Sequence, residues 1–286
     1  MAVGQLVAVY FSANARSRVI GNALHAGIKR AGDRVRFIPE NQYRGDGSEP
    51  EIAAFYGFNG RLRQAYDDYR QAGRKLVFVD MGYWQRRIND RYDGYHKVAV
   101  GDRHPTEYFQ NVKHGRNRRQ FSISLIPRKK TGDAVLLAGM GDKAAAAIGL
   151  APGQWELAMI DQIRAATSRP IIYRPKPSWA GGTPLPGAEF SPRSEPLDEA
   201  LAKAAVVVTH HSNVGVDAIV EGIPVFTVEG VALPLGLRSL DEIENPGFPD
   251  DHAREQWLND VHYCQWSVDE IARGVMWKHL RKEGLV

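Results

Sequence analysis

Residues 206–227 read VVVTHHSNVGVDAIVEGIPVFT. The stretch opens with an apolar run typical of a buried strand, continues with the helical spacing of NVGVDAIVEG, and closes with a second apolar run. A polar turn of two histidines, a serine, an asparagine and a glycine separates the first strand from the helix. A strand, a helix and a strand in this order predict one βαβ unit of a parallel sheet.

The same alternation extends through the chain on both sides of this unit. Strands are predicted at LVAVYF, RVRFIP, KLVFVDMGYW, YHKVAVGDRHP, DAVLLAGMGD and RPIIYRPKP, and helices at VIGNALHAGIKRAG, NGRLRQAYDDYRQAG, QWELAMIDQIRAAT and LDEALAKA. Such a pattern indicates doubly wound parallel sheets, on which ligands bind beyond the carboxyl ends of the strands. In the first half of the chain those ends are expected at Ser12–Asn14, Asp80–Trp84 and Gly101–Pro105.

The regular pattern lapses between about residues 110 and 131, where the chain is polar and strongly basic. We therefore predict two Rossmann-like domains, 1–120 and 132–262, with a cleft between them. Residues 263–286 are predicted to form a helix that packs back on the first domain, with Ser267 and Glu270 as its capping box. One large Rossmann-like domain with an extended insertion is the alternative fold.

Composition limits the class of protein. The chain has 286 residues, 43% of them hydrophobic, which is enough to bury a core in each of two domains. The single cysteine, Cys264, excludes an intramolecular disulfide, and no Cys/His spacing is typical of a zinc site, so a reducing cytoplasm and no metal are expected. No basic leader and no apolar stretch of spanning length is present, so neither secretion nor a membrane partner is expected.

Charge is distributed unevenly along the chain. Residues 1–130 contain 24 Lys and Arg against 12 Asp and Glu, whereas residues 131–286 contain 13 against 21. A basic first half indicates a polyanionic partner, although arginine-rich solvated helix faces would give the same count.

The polar turn quoted above is suited to binding phosphate. Backbone N–H groups at the start of the helix carry partial positive charge, and Ser212 and Asn213 add a hydroxyl and an amide. Gly215 is expected to let the backbone approach a ligand closely. A Ser/Asn cap after a strand is also common in α/β proteins that bind nothing there.

The string HHSNVGVDAIVEGIPV resembles the donor-binding segment of GT-B glycosyltransferases. The resemblance implies a nucleoside-diphosphate sugar as donor, with a UDP sugar favoured, and no tightly bound cofactor. It assigns His210, His211 and the Ser-Asn-Gly turn to the donor, and Asp217 to the ribose hydroxyls. A carboxylate accepts hydrogen bonds from such hydroxyls.

Two further fragments, VLLAGMGDK and IIYRPKP, resemble the first and third strands of the second GT-B domain. The resemblance places Gly139 and Gly141 in a donor-binding turn. Lys143, Arg174 and Lys176 are then candidates to neutralise the diphosphate, although each is equally an ordinary surface cation.

The first half and the segment HYCQWSVDEIARG resemble predicted bacteriophage glycosyltransferases. That resemblance implies an acceptor in double-stranded DNA carrying 5-hydroxymethylpyrimidines, and a monomeric enzyme in the host cytoplasm. Aromatic residues at a strand end are candidates to stack on a base, and basic residues to contact phosphates. They are Tyr83, Trp84, Arg86, Arg87, Arg91, Lys113, Arg116, Arg118 and Arg119.

An inverting transfer needs a base that removes the proton of the acceptor hydroxyl. Asp102 is the first candidate, because it follows an apolar strand and has Arg103 beside it, and His104 and Asp80 are the others. A retaining enzyme requires no such base. A cell-surface or capsular polysaccharide is the second acceptor class, and a catalytically silent nucleic-acid-binding protein on the same frame is the third hypothesis.

Overall fold

A computed structural model of the protein describes residues 4–58, 60–90, 92–105, 121–129 and 132–286. The chain divides into two compact units, unit 1 (Met1–Phe121 with Asp260–Val286) and unit 2 (Ser122–Asn259). Each unit contains one β-sheet. In the described part of the chain, no helix is both long and apolar enough to cross a membrane.

Most of the predicted strands and helices are present in the described part of the chain. Up to residue 100 they are β1 (Leu6–Phe11), α1 (Ala15–Arg30), β2 (Arg34–Pro39), β3 (Ile52–Tyr56), α2 (Gly60–Gln71), β4 (Lys75–Met81) and β5 (Tyr95–Val100). Next come β6 (Ala134–Ala138), α3 (Asp142–Ala147), α4 (Gln154–Ala166), β7 (Ile171–Arg174), β8 (Glu189–Phe190), α5 (Leu197–Lys203), β9 (Ala204–Thr209), α6 (Val214–Val220), β10 (Val225–Thr227) and α7 (Asp251–Tyr263). The chain closes with β11 (Gln265–Ser267), α8 (Val268–Ala272) and α9 (Val275–Lys282).

The sheet of unit 1 has the strand order β11-β5-β4-β3-β1-β2. β2, β1, β3 and β4 run parallel. β1 lies between β3 and β2, and its residues Val7, Ala8 and Val9 are completely buried, which explains why the strand is a continuous apolar run. Asn14 caps α1 by accepting from the backbone N–H groups of Arg16 and Ser17.

The direction of β5 differs from the prediction. β5 is antiparallel to β4, with Val77 opposite Val100 and Met81 opposite His96. The residues that follow β5 therefore lie at the opposite edge of the sheet from the carboxyl ends of β1, β3 and β4, and the Gly101 N–H donates to Leu76 O (2.8 Å). The expectation that Gly101–Pro105 begins at the ligand-binding edge is wrong.

The C-terminal segment also differs from the single predicted helix. It forms β11, which pairs antiparallel to β5, and then two helices separated by Gly274 at φ 79°. The predicted capping box of Ser267 and Glu270 is confirmed at the start of α8. In α9, the Trp277 indole donates to the Asp33 carboxylate (2.8 Å), so the C-terminal segment packs within unit 1.

The sheet of unit 2 is parallel throughout, with the strand order β10-β9-β6-β7-β8. β6 is central and buried along its whole length. The carboxyl ends of β6, β7, β9 and β10 consequently lie along one edge, and the loops that follow them carry the polar residues that the sequence singles out.

Candidate functional site

The loops at the carboxyl edge of unit 2 are held together by hydrogen bonds between neighbouring strands. The Gly139 N–H donates to Arg174 O (2.9 Å), and the Thr209 hydroxyl donates to Ala138 O (3.1 Å). The glycine turn after β6 and the histidine turn after β9 are therefore adjacent.

The glycine turn packs tightly on the residues beneath it. A Cβ on Gly139 would lie 2.8 Å from the Tyr173 ring and 2.9 Å from the Glu156 carboxylate, so no larger residue fits. A Cβ on Gly141 would meet Lys176 and Trp179 at 3.3 and 3.5 Å, which places the Lys176 stem beside this turn. Lys143 and Lys176 are exposed.

Glu156 lies beneath the glycine turn and was not identified from the sequence. Its carboxylate is completely buried and accepts from the Met140 N–H (2.8 Å), while the second carboxylate oxygen has no hydrogen-bond partner among the described residues. Burial raises the pKa of Glu156. The signal in the sequence is a glutamate on the same helix face as Trp155, Met159, Ile160 and Ile163, which pack in the core.

The histidine turn contains a compact group of three side chains. His210 Nδ1 lies 2.9 Å from His211 Nδ1 and 3.3 Å from Glu229 Oε1. His210 is buried, with its ring edge-on to Trp155 at 5.6 Å, whereas His211 and Glu229 are half-buried. Glu229 follows β10. It was not identified from the sequence, where it is only a polar residue after a predicted strand.

The backbone of the same turn is largely satisfied within the protein. The Ser212 N–H donates to the Thr209 hydroxyl, the Val214 N–H to the Ser212 hydroxyl, and the Gly215 N–H to Ser212 O, at 3.0 to 3.3 Å. This reduces the number of N–H groups left for a phosphate. Asn213 begins α6, and Asp217 lies half-buried in its first turn.

Gly215 has a packing role. A Cβ at this position would lie 3.2 Å from Ala232, 3.4 Å from Val225 and 3.5 Å from Thr209. The glycine therefore lets α6 pack closely on the sheet, and the approach of a ligand to its backbone stays a prediction.

Arg174 is also placed differently from the prediction. Its guanidinium is buried and donates to the Ser191 hydroxyl (2.8 Å) and to Glu195 O (2.7 Å). Hydrogen bonds from Lys203 and Ser191, with the Arg174 charge adding to them, lower the pKa of Glu195. Arg174 is part of this internal network. Lys176 lies beyond the end of β7, so its side chain is not held in the same way.

Two of the candidate bases in unit 1 lie close together. The Lys97 ammonium is 3.8 Å from the Asp80 carboxylate and 3.4 Å from His104 Nδ1. Asp80 and Lys97 are opposite each other on β4 and β5. Lys97 is buried and Asp80 is 40% exposed, so an ion pair forms with the carboxylate open to solvent. A lysine within the apolar strand YHKVAV is the sequence signal that was missed.

Further polar groups surround this pair at the carboxyl edge of unit 1. Arg16 donates to the Tyr56 hydroxyl (3.4 Å), and the Tyr56 ring lies edge-on to His96 at 5.8 Å. Burial raises the pKa of Tyr56 to about 12 and lowers the pKa of His96 to about 4. Both side chains are therefore neutral near pH 7.

Asp102, the first candidate base, is separated from this group by the direction of β5. Its carboxylate accepts from the Tyr66 hydroxyl (2.7 Å), the Arg103 N–H (2.6 Å) and Arg70 (3.2 Å). These bonds fix Asp102 to α2 at the far edge of the sheet. Asp102 therefore does not lie with Asp80 and Lys97 at the carboxyl ends of the parallel strands.

The residues proposed to contact DNA are only partly described. Tyr83 is buried, so it has no exposed face to stack on a base, and that prediction is wrong. The half-buried Trp84 packs against the rings of Phe121 and His262. Arg86 donates to Gly82 O (2.6 Å), and Arg87 is exposed. The other candidates, Arg91, Lys113, Arg116, Arg118 and Arg119, lie outside the described residues.

Comparison with solved structures identifies the fold. The chain is similar to the KpsC beta Kdo 2,4 transferase of Thermosulfurimonas dismutans, with a TM-score of 0.53 and 13% identity over 94% of this chain and 98% of that one. The KpsC beta Kdo 2,7 transferase of the same organism matches with a TM-score of 0.53 and 13% identity over 95% and 99%. No protein-family model and no curated protein matches the sequence. The predicted GT-B-like α/β fold is confirmed.

Proposed function

We propose that the protein is a glycosyltransferase that moves a sugar from a nucleotide-linked donor to a hydroxyl group. The observation that carries the proposal is the meeting of the glycine turn and the histidine turn at the carboxyl edge of the parallel sheet in unit 2. Ligands of doubly wound sheets bind at this edge. The fold shared with two Kdo transferases supports the same activity.

Within unit 2, exposed charges and a half-buried acid are suited to a nucleotide sugar. Lys143 and Lys176 offer ammonium groups near the glycine turn, where they would neutralise phosphate charge that grows as the donor bond breaks. Asp217 offers a carboxylate for the ribose hydroxyls. Among donors, UDP sugars are the first to test.

In an inverting reaction the acceptor oxygen forms a bond to the anomeric carbon, and the bond between that carbon and the phosphate oxygen breaks. The nucleotide leaves with the bonding electrons, and the hydroxyl proton must go to a base. We assign this role to Asp80, because its carboxylate is accessible and the buried Lys97 ammonium lies beside it. A retaining reaction would not require Asp80.

For the acceptor we favour a 5-hydroxymethylpyrimidine in double-stranded DNA, bound by a monomer. The support is the excess of basic residues in residues 1–130, 24 against 12 acidic residues. A saccharide hydroxyl is the second candidate, because the two similar structures are named as Kdo transferases. Because Tyr83 is buried, a base flipped out of the duplex would have to stack on other residues.

A single experiment separates the acceptors. The protein is incubated with a panel of sugar nucleotides and with hydroxymethylated duplex, unmodified duplex or oligosaccharide acceptors, and the products are read by mass spectrometry. A hexose or pentose mass on the modified base supports DNA, whereas the same mass only on an oligosaccharide supports the second candidate. No added mass on any acceptor contradicts the transferase proposal.

DNA binding itself is tested by its salt dependence. Each phosphate neutralised by a cation should add about 0.9 to the slope of log affinity against log salt. Replacing Arg116, Arg118 and Arg119 by Glu should reduce that slope and leave nucleotide binding unchanged. Tight DNA binding without salt dependence, or a slope that the triple variant does not change, would count against the DNA acceptor. DNA binding without nucleotide binding would indicate a silent nucleic-acid-binding protein.

A further inference from the structure

The ligand atoms of His210, His211 and Glu229 converge at the carboxyl edge of unit 2, all within 4.8 Å of one another. His210 Nδ1 lies 2.9 Å from His211 Nδ1 and 3.3 Å from Glu229 Oε1. His210 Nδ1 can carry only one proton, which cannot point well at both. A cation placed between the three atoms would be bound by two imidazole nitrogens and one carboxylate oxygen.

Two of the three separations are close to the edge of a tetrahedral coordination polyhedron, and the third is no longer than 4.8 Å. Zinc binds imidazole nitrogen and carboxylate oxygen at about 2.0 to 2.2 Å in a tetrahedron, which places the ligand atoms about 3.3 Å apart. The two distances from His210 Nδ1, 2.9 and 3.3 Å, are close to that value. Small side-chain movements would bring the three ligand atoms to bonding distance from one metal ion.

The backbone around the three side chains is already fixed. The Glu229 N–H donates to His210 O (2.8 Å), which joins the two loops directly. The Thr227 hydroxyl lies 2.9 Å from His210 O and 2.8 Å from Glu229 O and donates to one of them. The Trp155 ring packs against His210. Such supporting contacts orient ligands before the metal binds and raise its affinity.

We propose that His210, His211 and Glu229 form a binding site for a divalent first-row transition metal. Two imidazoles and one carboxylate favour Zn²⁺, Co²⁺ or Fe²⁺ over Mg²⁺ and Ca²⁺, which prefer ligand sets made only of oxygen. His211 and Glu229 are half-buried, so a further coordination position faces solvent and can accept water or a ligand oxygen. The site lies in the histidine turn that carries the proposed function, but its metal binding is measured without a donor or an acceptor.

The spacing of the ligands explains why the sequence shows no zinc motif. His210 and His211 are adjacent, and the third ligand follows the next strand of the sheet, 18 residues after His211. Only the parallel pairing of β9 with β10 brings Glu229 to the histidines.

The proposal is tested on the full chain without a polyhistidine tag, freed of metal by dialysis against a chelator. Co²⁺ is added and its visible absorption is followed, and Zn²⁺ is then used as a competitor. The test variants are His211→Ala and Glu229→Gln. His252→Ala is the matched control, because His252 is exposed on α7 in the same unit.

The wild type and His252→Ala should bind a single equivalent of Co²⁺ that Zn²⁺ displaces. Each test variant should weaken binding by more than about tenfold, since even the loss of a supporting contact costs that much. Unfolding curves without metal establish that the variants are folded, and if His211→Ala does not fold, Glu229→Gln carries the test. No binding by the wild type, equal binding by the test variants, or displacement of Co²⁺ by Mg²⁺ at similar concentrations would overturn the proposal.

Discussion

Arg174 and Lys176 are close in sequence but differ in environment. Arg174 is buried and bonded to Ser191 and Glu195, so Arg174→Met should lower the free energy of unfolding by about 2–3 kcal/mol. Lys176 is exposed, so Lys176→Ala should leave stability nearly unchanged and weaken nucleotide-sugar binding about tenfold. Urea unfolding and isothermal titration measure the two effects. The reverse pattern would mean that Arg174 turns outward to bind the donor.

The two candidate bases Asp80 and Asp102 should respond differently to substitution by asparagine. Asp80→Asn should lower kcat by about a hundredfold or more with little change in the acceptor KM, because it removes the proposed base. Asp102→Asn should leave kcat within about twofold and lower stability by less than about 1 kcal/mol, since the Arg70 pair is partly exposed. Steady-state kinetics of both variants show which aspartate is the base. A large loss of kcat only in Asp102→Asn would restore Asp102 as the base.

At the scale of elements, the local sequence predicted most of the strands and helices but not how they pair. β1, β4, β6 and β9 are apolar runs, and such runs fix buried strands. β3 was missed because IAAFY is short and lies next to a polar loop. The antiparallel direction of β5 was missed because strand direction depends on the pairing partner, and the local pattern is the same for both directions.

For the candidate functional site, too, the local sequence predicted some features and missed those that depend on contacts between distant residues. The glycine and histidine turns were predicted because they follow strands of a parallel sheet, whose carboxyl ends share an edge. Glu156, Glu229 and Lys97 were missed because their roles depend on contacts with residues distant in sequence. Arg174 was misassigned because the sequence does not show whether a residue faces a ligand or the protein interior.

The tight packing of the glycine turn after β6 predicts how a substitution there changes stability. Gly139→Ala should lower the free energy of unfolding by about 1–3 kcal/mol, because its Cβ would lie 2.8 Å from the Tyr173 ring and 2.9 Å from the buried Glu156. Gly141→Ala is the control, since its Cβ would meet the flexible stem of Lys176 at 3.3 Å. Denaturant unfolding compares the two. Equal stability of both variants would mean that the turn is looser than described.

At the scale of the whole molecule, part of the basic excess in the first half is used to stabilise the fold. Arg70 pairs with Asp102, and Arg74 lies 3.9 Å from Glu49 and 3.6 Å from Glu51. Other cations of the first half, among them Arg18, Arg36 and Arg87, are exposed. The sign of the charge imbalance was readable from composition, but its distribution between structural and external partners required the fold.

The buried His96 makes stability depend on pH. Its pKa in the folded protein is about 4, against an ordinary value of 6.5. The unfolded chain therefore binds more protons between these values, and stability is fully present above pH 6.5 and is lost as the pH falls toward 4. On the order of 2 kcal/mol should be lost between pH 7 and pH 5.

The measurement is denaturant unfolding at both pH values for the wild type and His96→Gln. The variant has no titrating ring at this position and should lose less stability over the same range. An identical loss in both proteins would show that other groups cause the dependence.

The central claim, that unit 2 binds a nucleotide-linked sugar at its carboxyl edge, is tested most directly by isothermal titration with a panel of nucleoside diphosphates and sugar nucleotides. We expect saturable binding of at least one of them, weakened about tenfold by Asp217→Asn and unchanged by Asp161→Asn, which replaces an exposed acid on α4. If no nucleotide binds at millimolar concentration, or if both variants bind as the wild type does, the account is contradicted.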